Sequence, residues 1–327
     1  MIPLFCTTII PTIGRPSLNR AVESVLAEIS TVPDWKIIVV NDSCRPLPPE
    51  GWQLSEQVQI MATSQRNRSV ARNCGAAVAS SQYFHFLDDD DWLEPGAIAA
   101  LRELARDSQA SWLYGAFRLV DNQGKTLAEI QPSLSGNCFV QVMASEWLPL
   151  QASLIRADAF WAVGGFAPLH SLLGGYEDID LLRMIAYEGE ISGTQQIVSN
   201  IRSGDQSSTT DYANMNNQNR QSREKLLAAP QALSRLRRAV METNNTAYWH
   251  GRIFYYYLAS IIWNWHQGRL WLSISRTVHA LTSAALAGPA ILSPSFWQAL
   301  TRPHHNQVRQ VIEQRGLALY NNTNWID

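Results

Sequence analysis

Short apolar runs and helical patterns take turns through the first half of the chain. Pro3 to Ile10 predicts a strand, and Ser17 to Ile29 then sets Ala21, Val22, Val25 and Leu26 on one face, as an amphipathic helix does. Lys36 to Val40 is largely β-branched and ends abruptly in Asn41-Asp42-Ser43, and Val58 to Met61 predicts another short strand. Asn67 to Ser80 has helical character, Tyr83 to Leu87 predicts a strand that stops at four aspartates, and Pro95 sits in the first turn of a helix running to about Arg106. Such alternation predicts an α/β fold with a mainly parallel sheet flanked by helices.

The pattern changes from Ser111. Trp112 to Val120 and Thr126 to Ile130 flank Asp121-Asn122-Gln123-Gly124, a hairpin-type turn. Gly164-Gly165 and Gly174-Gly175 bracket a loop, Glu177 to Tyr187 predicts a helix, and Ile191 to Ile201 returns as a strand. Ser203 to about Arg223 is polar and predicts a flexible segment. The remainder is helical in pattern, with Tyr248 to Trp265 and Leu270 to Leu286 joined at Gln267-Gly268. A division into residues 1–210 and a C-terminal helical region, 211–327, follows.

At 327 residues the chain can bury one large domain, or one domain and a helical attachment. A net charge of -2 argues against a protein that mainly grips nucleic acid. Cys6, Cys44, Cys74 and Cys138 form no CxxC pair, which disfavours a zinc cage or disulfide framework and fits a reducing cytoplasm. Met1 to Pro11 lacks a basic leader and a cleavage site, and reads as a strand. Ile253 to Trp263 is too short to span a bilayer, and Leu270 to Leu292 is interrupted by Arg276, His279 and Pro289. The C-terminal aromatics, among them Trp249, Tyr255, Tyr256, Tyr257, Trp263, Trp265 and Trp271, fit either a packed core or a surface touching membrane or a lipid-linked acceptor. Basic residues are sparse there (Arg252, Arg269, Arg276), so attraction to anionic lipid would be modest. The expected location is the cytoplasm, with peripheral contact at the inner face of the membrane as the alternative.

Phe86-Leu87-Asp88-Asp89-Asp90-Asp91-Trp92 carries the strongest chemical signal. An apolar strand running into carboxylates sets them at the carboxyl edge of the sheet, where open α/β folds bind ligands. Crowded carboxylates repel, and a divalent cation offsets that while leaving positions for phosphate oxygens. A solvated acidic turn capping the helix at Pro95 is the other reading. Glu177 and Asp178 in Gly174-Gly175-Tyr176-Glu177-Asp178-Ile179-Asp180 fall in a helix's first turn, where the dipole favours the charged form that a general base needs, although helix capping explains acids there equally well. Arg66, Arg68 and Arg72 open a helix and match a diphosphate or, alternatively, a basic surface; Arg202 after the last strand is a similar candidate.

In this order the motifs resemble family 2 glycosyltransferases of the GT-A fold, over roughly Leu4 to Ser208. The resemblance implies a Rossmann-like, mixed but mainly parallel sheet with a C-terminal helical extension. It implies that Thr8, Pro11 and Arg15 belong to the opening strand and nucleotide loop, that Asp42 contacts the base, and that Arg72 lies near uracil and phosphates. It further implies Asp88 near the ribose, Asp89 in the same nucleotide-sugar site, Asp90 as the ligand of Mn2+ or Mg2+, and Asp178 beside Glu177 as the base of an inverting reaction. Asn41 stands where an aspartate is frequent, Cys44 where a small polar residue is usual, and Arg68 where the family has glycine.

The expected activity is metal-dependent transfer of a sugar, UDP-linked, to the hydroxyl of a saccharide or lipid-linked acceptor, in polysaccharide, lipopolysaccharide or glycoconjugate synthesis. The loop from Gly164 to Tyr176 is expected to help form the acceptor site and close over it. Rival readings are a nucleotidyltransferase acting on sugar phosphates, of whose glycine-rich loop Ile13-Gly14-Arg15-Pro16 is a poor version, and a non-catalytic nucleotide-binding protein. No GxGxxG follows a strand, which disfavours a dehydrogenase.

Overall fold

Strand alternation sends successive side chains to opposite faces, and here both faces are covered, so the strands read as continuous apolar runs. A computed structural model describes residues 4–29, 32–131, 133–168, 176–202, 212–302 and 307–314. In chain order its strands are β1 (Leu4–Thr12), β2 (Trp35–Asn41), β3 (Val58–Ala62), β4 (Ser81–Phe86), β5 (Trp92–Leu93), β6 (Trp112–Val120), β7 (Thr126–Ile130), β8 (Ser153–Arg156) and β9 (Ile191–Arg202). They form one sheet in the order β3-β2-β1-β4-β8-β6-β9-β5, with β7 paired to β6. The first four strands are parallel, β8 runs antiparallel to both β4 and β6, and β9 is parallel to β6. The mixed, mainly parallel α/β sheet is the one the sequence predicts. Strands β5 and β8, two and four residues long, escape periodicity because neither completes a pattern.

Helices α1 (Leu18–Ile29) and α3 (Ala97–Asp107) cover one face against Cys6, Ile10, Ile37, Val39, Leu113 and Phe117. Helix α2 (Arg68–Val78) packs on the other, against Ile9, Ile38 and Val40. That second core continues through α4 (Phe139–Met143), α5 (Ala157–Ala162) and α6 (Glu177–Glu188). It also takes in α7 (Tyr212–Leu227), α8 (Ala232–Val240), α9 (Thr246–His266) and α10 (Leu270–Ala287), so the C-terminal helices share one core with the sheet. Helices α11 (Pro294–Thr301) and α12 (Gln307–Gln314) follow.

The polar stretch expected to be flexible is helical from Tyr212 onward; residues 203–211 lie outside the described ones. Its buried polar groups have partners, which hydropathy cannot foresee: Asn219 accepts from Tyr176 Oη and Arg183 Nη2, both at 2.7 Å, and Arg223 Nε donates to the Met143 carbonyl at 2.9 Å. The hairpin turn forms as expected, with Gly124 at φ +82° and the Asp121 carboxylate accepting from the Gln123 and Lys125 amides. The C-terminal aromatics divide: Trp249, Tyr256 and Tyr257 are buried, whereas Trp265 and Trp271 are exposed. No described helix is long and apolar enough to cross a membrane.

Candidate active site

The register of the parallel strands brings their carboxyl ends together. Thr12 stands beside Asn41, Ile9 beside Phe86, and the chain leaves β1, β2 and β4 along the same edge. Thr12, Asp42 and the four aspartates after Leu87 therefore gather at one rim, although distant in sequence. The Arg202 amide donates to Asp91 at 2.7 Å and ties the end of β9 to the same rim.

Each carboxylate there has a defined partner. Asp89 is buried, taking a 2.6 Å hydrogen bond from Thr12 Oγ1 and a 3.0 Å one from Arg15. Arg15 also reaches Asp90 at 3.2 Å, and Asp90 is about one-third exposed. Asp88 accepts from Arg72 Nη2 at 2.6 Å and from Gln151 Nε2 at 2.8 Å. Burial pushes the Asp88 carboxyl up, but Arg72 outweighs it and the group sits below its usual range. Burial raises the carboxyls of Asp89, Asp90 and Asp91; for Asp90 and Asp91 the charge on Asp88 adds to the effect.

The second motif arrives at the start of α6. Glu177 is buried and paired with Arg68 and, at 3.1 Å, with Arg72 Nη1. Asp178 is half-buried; it accepts from Trp147 Nε1 and from the Ile179 amide, both at 2.8 Å. Burial, then the Glu177 charge, raises its carboxyl above the usual value. Arg72 thus spans the two acidic motifs. Burial disfavours its charge, but Asp88 and Glu177 more than restore it.

Asparagines on α2 fix the surroundings of Arg72. Asn67 caps the helix, accepting from the Ser69 and Val70 amides, and its Nδ2 donates to the Pro168 carbonyl at 3.0 Å. Asn73 clasps Phe166 by both backbone groups, at 2.8 and 3.0 Å, and the Phe166 ring lies 5.3 Å from the Arg72 guanidinium. The clasp ends there: residues 169–175 of the expected acceptor loop lie outside the described ones.

Three of the expected nucleotide-sugar residues, Thr8, Asp42 and Pro11, are buried. Thr8 is fully buried, bonded to Trp35 Nε1 at 2.8 Å and His85 Nδ1 at 3.0 Å, so it faces the sheet interior and not the rim. His85, whose pKa burial lowers to about 4, bonds in turn to the Gln151 carbonyl, so Thr8 reaches Asp88 only through His85 and Gln151. Asp42 is buried and braces the loop before α2, accepting from Thr63 Oγ1 and the Gln65 and Asn67 amides. Pro11 is buried within β1 opposite Val40. The other expected residues gather at the rim in bonded groups: Arg15 with Asp89 and Asp90, Arg72 with Asp88 and Glu177, Asp178 next to Glu177 in the chain, and Arg202 by its backbone amide on Asp91. Thr12, Gln151 and Trp147 join them, bonded to Asp89, Asp88 and Asp178, and no local pattern marks them because these partners are between 31 and 77 residues away.

A hard divalent cation fits the donors at the Asp88–Asp90 turn. Among the described residues no three metal-ligating side chains converge as a ready-made cluster. Mg2+ or Mn2+, however, needs only one or two carboxylates when water and phosphate oxygens supply the rest. Asp90 is part-exposed, and burial first and the charge on Asp88 second raise its carboxyl.

Residues 7–155 match the profile of glycosyl transferase family 2. No curated protein sequence matches the chain significantly. Among solved structures, S. aureus TarS residues 1–349 in complex with UDP-GlcNAc superimposes with a TM-score of 0.58 at 11% identity, covering 84% of this chain and 90% of that one. The same TarS segment alone gives 0.56 at 12%, covering 95% and 92%; in a longer TarS structure the likeness spans 74% of this chain but 45% of that one, with 0.54 at 12%. At such identities the likeness establishes the fold. The sheet, the aspartates at its rim and the profile match agree: residues 7–155 carry a match to glycosyl transferase family 2 within a GT-A fold.

Proposed function

We propose that the chain transfers a sugar from a UDP-linked donor to an acceptor hydroxyl with inversion at the anomeric carbon. The observation that carries this reading is the Arg72 bridge, which sets the Asp88–Asp91 turn next to the helix that begins with Glu177 and Asp178. The UDP and UDP-GlcNAc bound by TarS in its structures support the choice of nucleotide. Asp178 takes the acceptor proton as the hydroxyl oxygen attacks; its raised proton affinity suits that task, and Trp147 with the Ile179 amide fixes the carboxylate. The bond to the diphosphate breaks on the opposite side of the sugar. Arg15, at the rim and part-exposed, supplies positive charge toward the leaving group, and Arg72 holds Asp88 in place. A bound Mg2+ or Mn2+, held by Asp90 with Asp88 beside it, would stabilise the negative charge of the leaving diphosphate. Asp42 shapes the loop over which the base lies. The acceptor is a saccharide or lipid-linked saccharide of a surface polysaccharide or glycoconjugate.

The direct test is a panel of nucleotide-sugars assayed for binding and hydrolysis with Mn2+, Mg2+ or chelator. UDP-sugars are expected to bind and turn over only with metal. Turnover persisting in chelator would remove the metal from the mechanism; preference for another nucleotide would remove UDP.

A further inference from the structure

Helix α10 is packed inside out. Its buried face is small and polar, Ser273, Arg276, Ala280, Ser283 and Ala287, while its exposed face carries Leu270, Trp271, Ile274, Val278 and Leu281. Trp271 is 83% and Leu281 66% exposed, and Ile262 and Trp265 at the end of α9 extend the apolar surface across the turn. A helix on a globular core ordinarily turns the other way. The inward orientation is fixed by polar bonds: Arg276 donates to Glu224 at 2.7 and 3.0 Å, and Ser273 Oγ to the Ile261 carbonyl at 3.0 Å. The apolar stripe is thus held outward by the fold.

Charge indicates what covers it. Between Lys225 and Ile312 a single carboxylate, Glu242, stands against nine arginines and lysines; Arg252 and Arg276 are buried and Arg235 pairs with Glu188, while Lys225 and Arg269 are exposed at the α9–α10 turn. Glu242 is engaged by the Asn137 amide at 2.8 Å. At the α9–α10 turn a cavity of about 480 Å³ is lined by Lys225, Arg269, Gln221, Gln267 and Trp263 and by Glu224, whose charge is taken up by Arg276, with the Arg269 guanidinium 5.2 Å from the Trp263 ring. Cationic and amide donors in that cavity adjoin Leu270 and Trp271, which begin the stripe. Exposed tryptophans and aliphatics beside cationic groups are the chemistry of the lipid–water interface. A second copy on this face would press like charges together.

From these observations we infer that the α9–α10 face docks on an anionic lipid surface, α10 lying along it and a headgroup phosphate seated between Lys225 and Arg269. The proposal is independent of the transfer reaction. Length agrees, since no described helix can cross a bilayer.

The test uses the full chain with vesicles of phosphatidylcholine, alone or with one-third phosphatidylglycerol, in a flotation assay, with light scattering to report the oligomeric state. Wild type is expected to float with the anionic vesicles and to be released by high salt. The exposed double substitution Trp271→Ser/Leu281→Ser is expected to weaken binding at least tenfold with an unchanged melting temperature. Lys225→Glu/Arg269→Glu should abolish the preference for anionic vesicles. Wild type that stays with neither vesicle, or variants that float like wild type, would overturn the inference. So would a wild-type dimer that ignores vesicles and becomes monomeric on Trp271→Ser/Leu281→Ser, since a second copy would then own the face.

Discussion

Arg72 commits its two terminal nitrogens to different carboxylates, Asp88 on the strand side and Glu177 on the helix side. Buried charges are tolerated only when paired in this way, and removing one partner leaves the others uncompensated. In the proposed mechanism the chemistry rests on Asp178. Asp178→Asn is expected to lower kcat by about 10²–10⁴-fold while leaving donor affinity, measured by calorimetry, nearly unchanged. Because burial and Glu177 raise the Asp178 carboxyl, the rate must fall with acidification from a higher pH than a free carboxylate would give. Trp147 donates to the charged form and so lowers that value. Trp147→Phe should therefore move the acid limb of kcat/KM to higher pH; a limb that stays put or moves down would detach Trp147 from the base. Asp91 bears on stability instead. Its folded-state carboxyl is raised well above normal by burial and by Asp88 and Asp90, so the protonated form is favoured in the fold. Its contribution is present at low pH and is lost as pH rises through the raised value. Asp91→Asn, which keeps an oxygen for the Arg202 amide, is expected to stabilise the neutral-pH protein, read as a higher melting temperature.

The element that decides the site's geometry is α2. Asn67 starts it, Arg68 and Arg72 project from its first turns to Glu177, and Asn73 holds the Phe166 segment. Its distance from the sheet is set by Gly75. A Cβ there would come within 2.5 Å of Ile9 Cγ2 and 3.1 Å of Val40 Cγ2. Alanine in place of glycine favours a helix by up to ~1 kcal/mol, but overpacking a core costs about 1–3 kcal/mol. The clash wins: Gly75→Ala should destabilise the protein in chemical denaturation and displace Arg72 enough to weaken transfer. Arg68, at the start of this helix, also pairs with Glu177 and so reinforces the link between the helix and the second acidic motif.

At the scale of the molecule, the C-terminal helices are held to the sheet by apolar packing and by a polar seam. Glu224 on α7 accepts from Arg276 on α10 and from Ser260 on α9, and all three side chains are buried. Glu224→Gln leaves Arg276 buried beside a neutral group, and breaking such a pair costs about 3–5 kcal/mol. The expected result is a clear loss of stability in denaturant unfolding, with one transition if sheet and helices unfold together and two if they do not. A cavity of 1240 Å³ also opens at the amino ends of β1 and β4, lined by Phe5, Tyr83, Arg102 and Arg156. It lies across the sheet from the aspartate rim and takes no part in the proposed reaction.

The order of motifs, the parallel strands, the hairpin and the helix pair were legible in the sequence, because period, turn residues and apolar runs are local properties. So was the gathering of carboxylates at a strand end, since a strand delivers the residues after it to the sheet's rim. The sequence could not distinguish Thr8 from Thr12: they share a strand, and only the depth of each within the sheet makes one a core bond to His85 and the other a partner of Asp89. Nor could it show that Tyr212–Leu227 folds, because its polar side chains are satisfied by groups such as Met143 and Arg183, far off in the chain. The same holds for the inverted face of α10: its composition was written in the sequence, but which side meets the core was settled by Glu224. Local interactions chose the elements; pairing between remote charges and donors chose their facing, and through it the chemistry each side chain can perform.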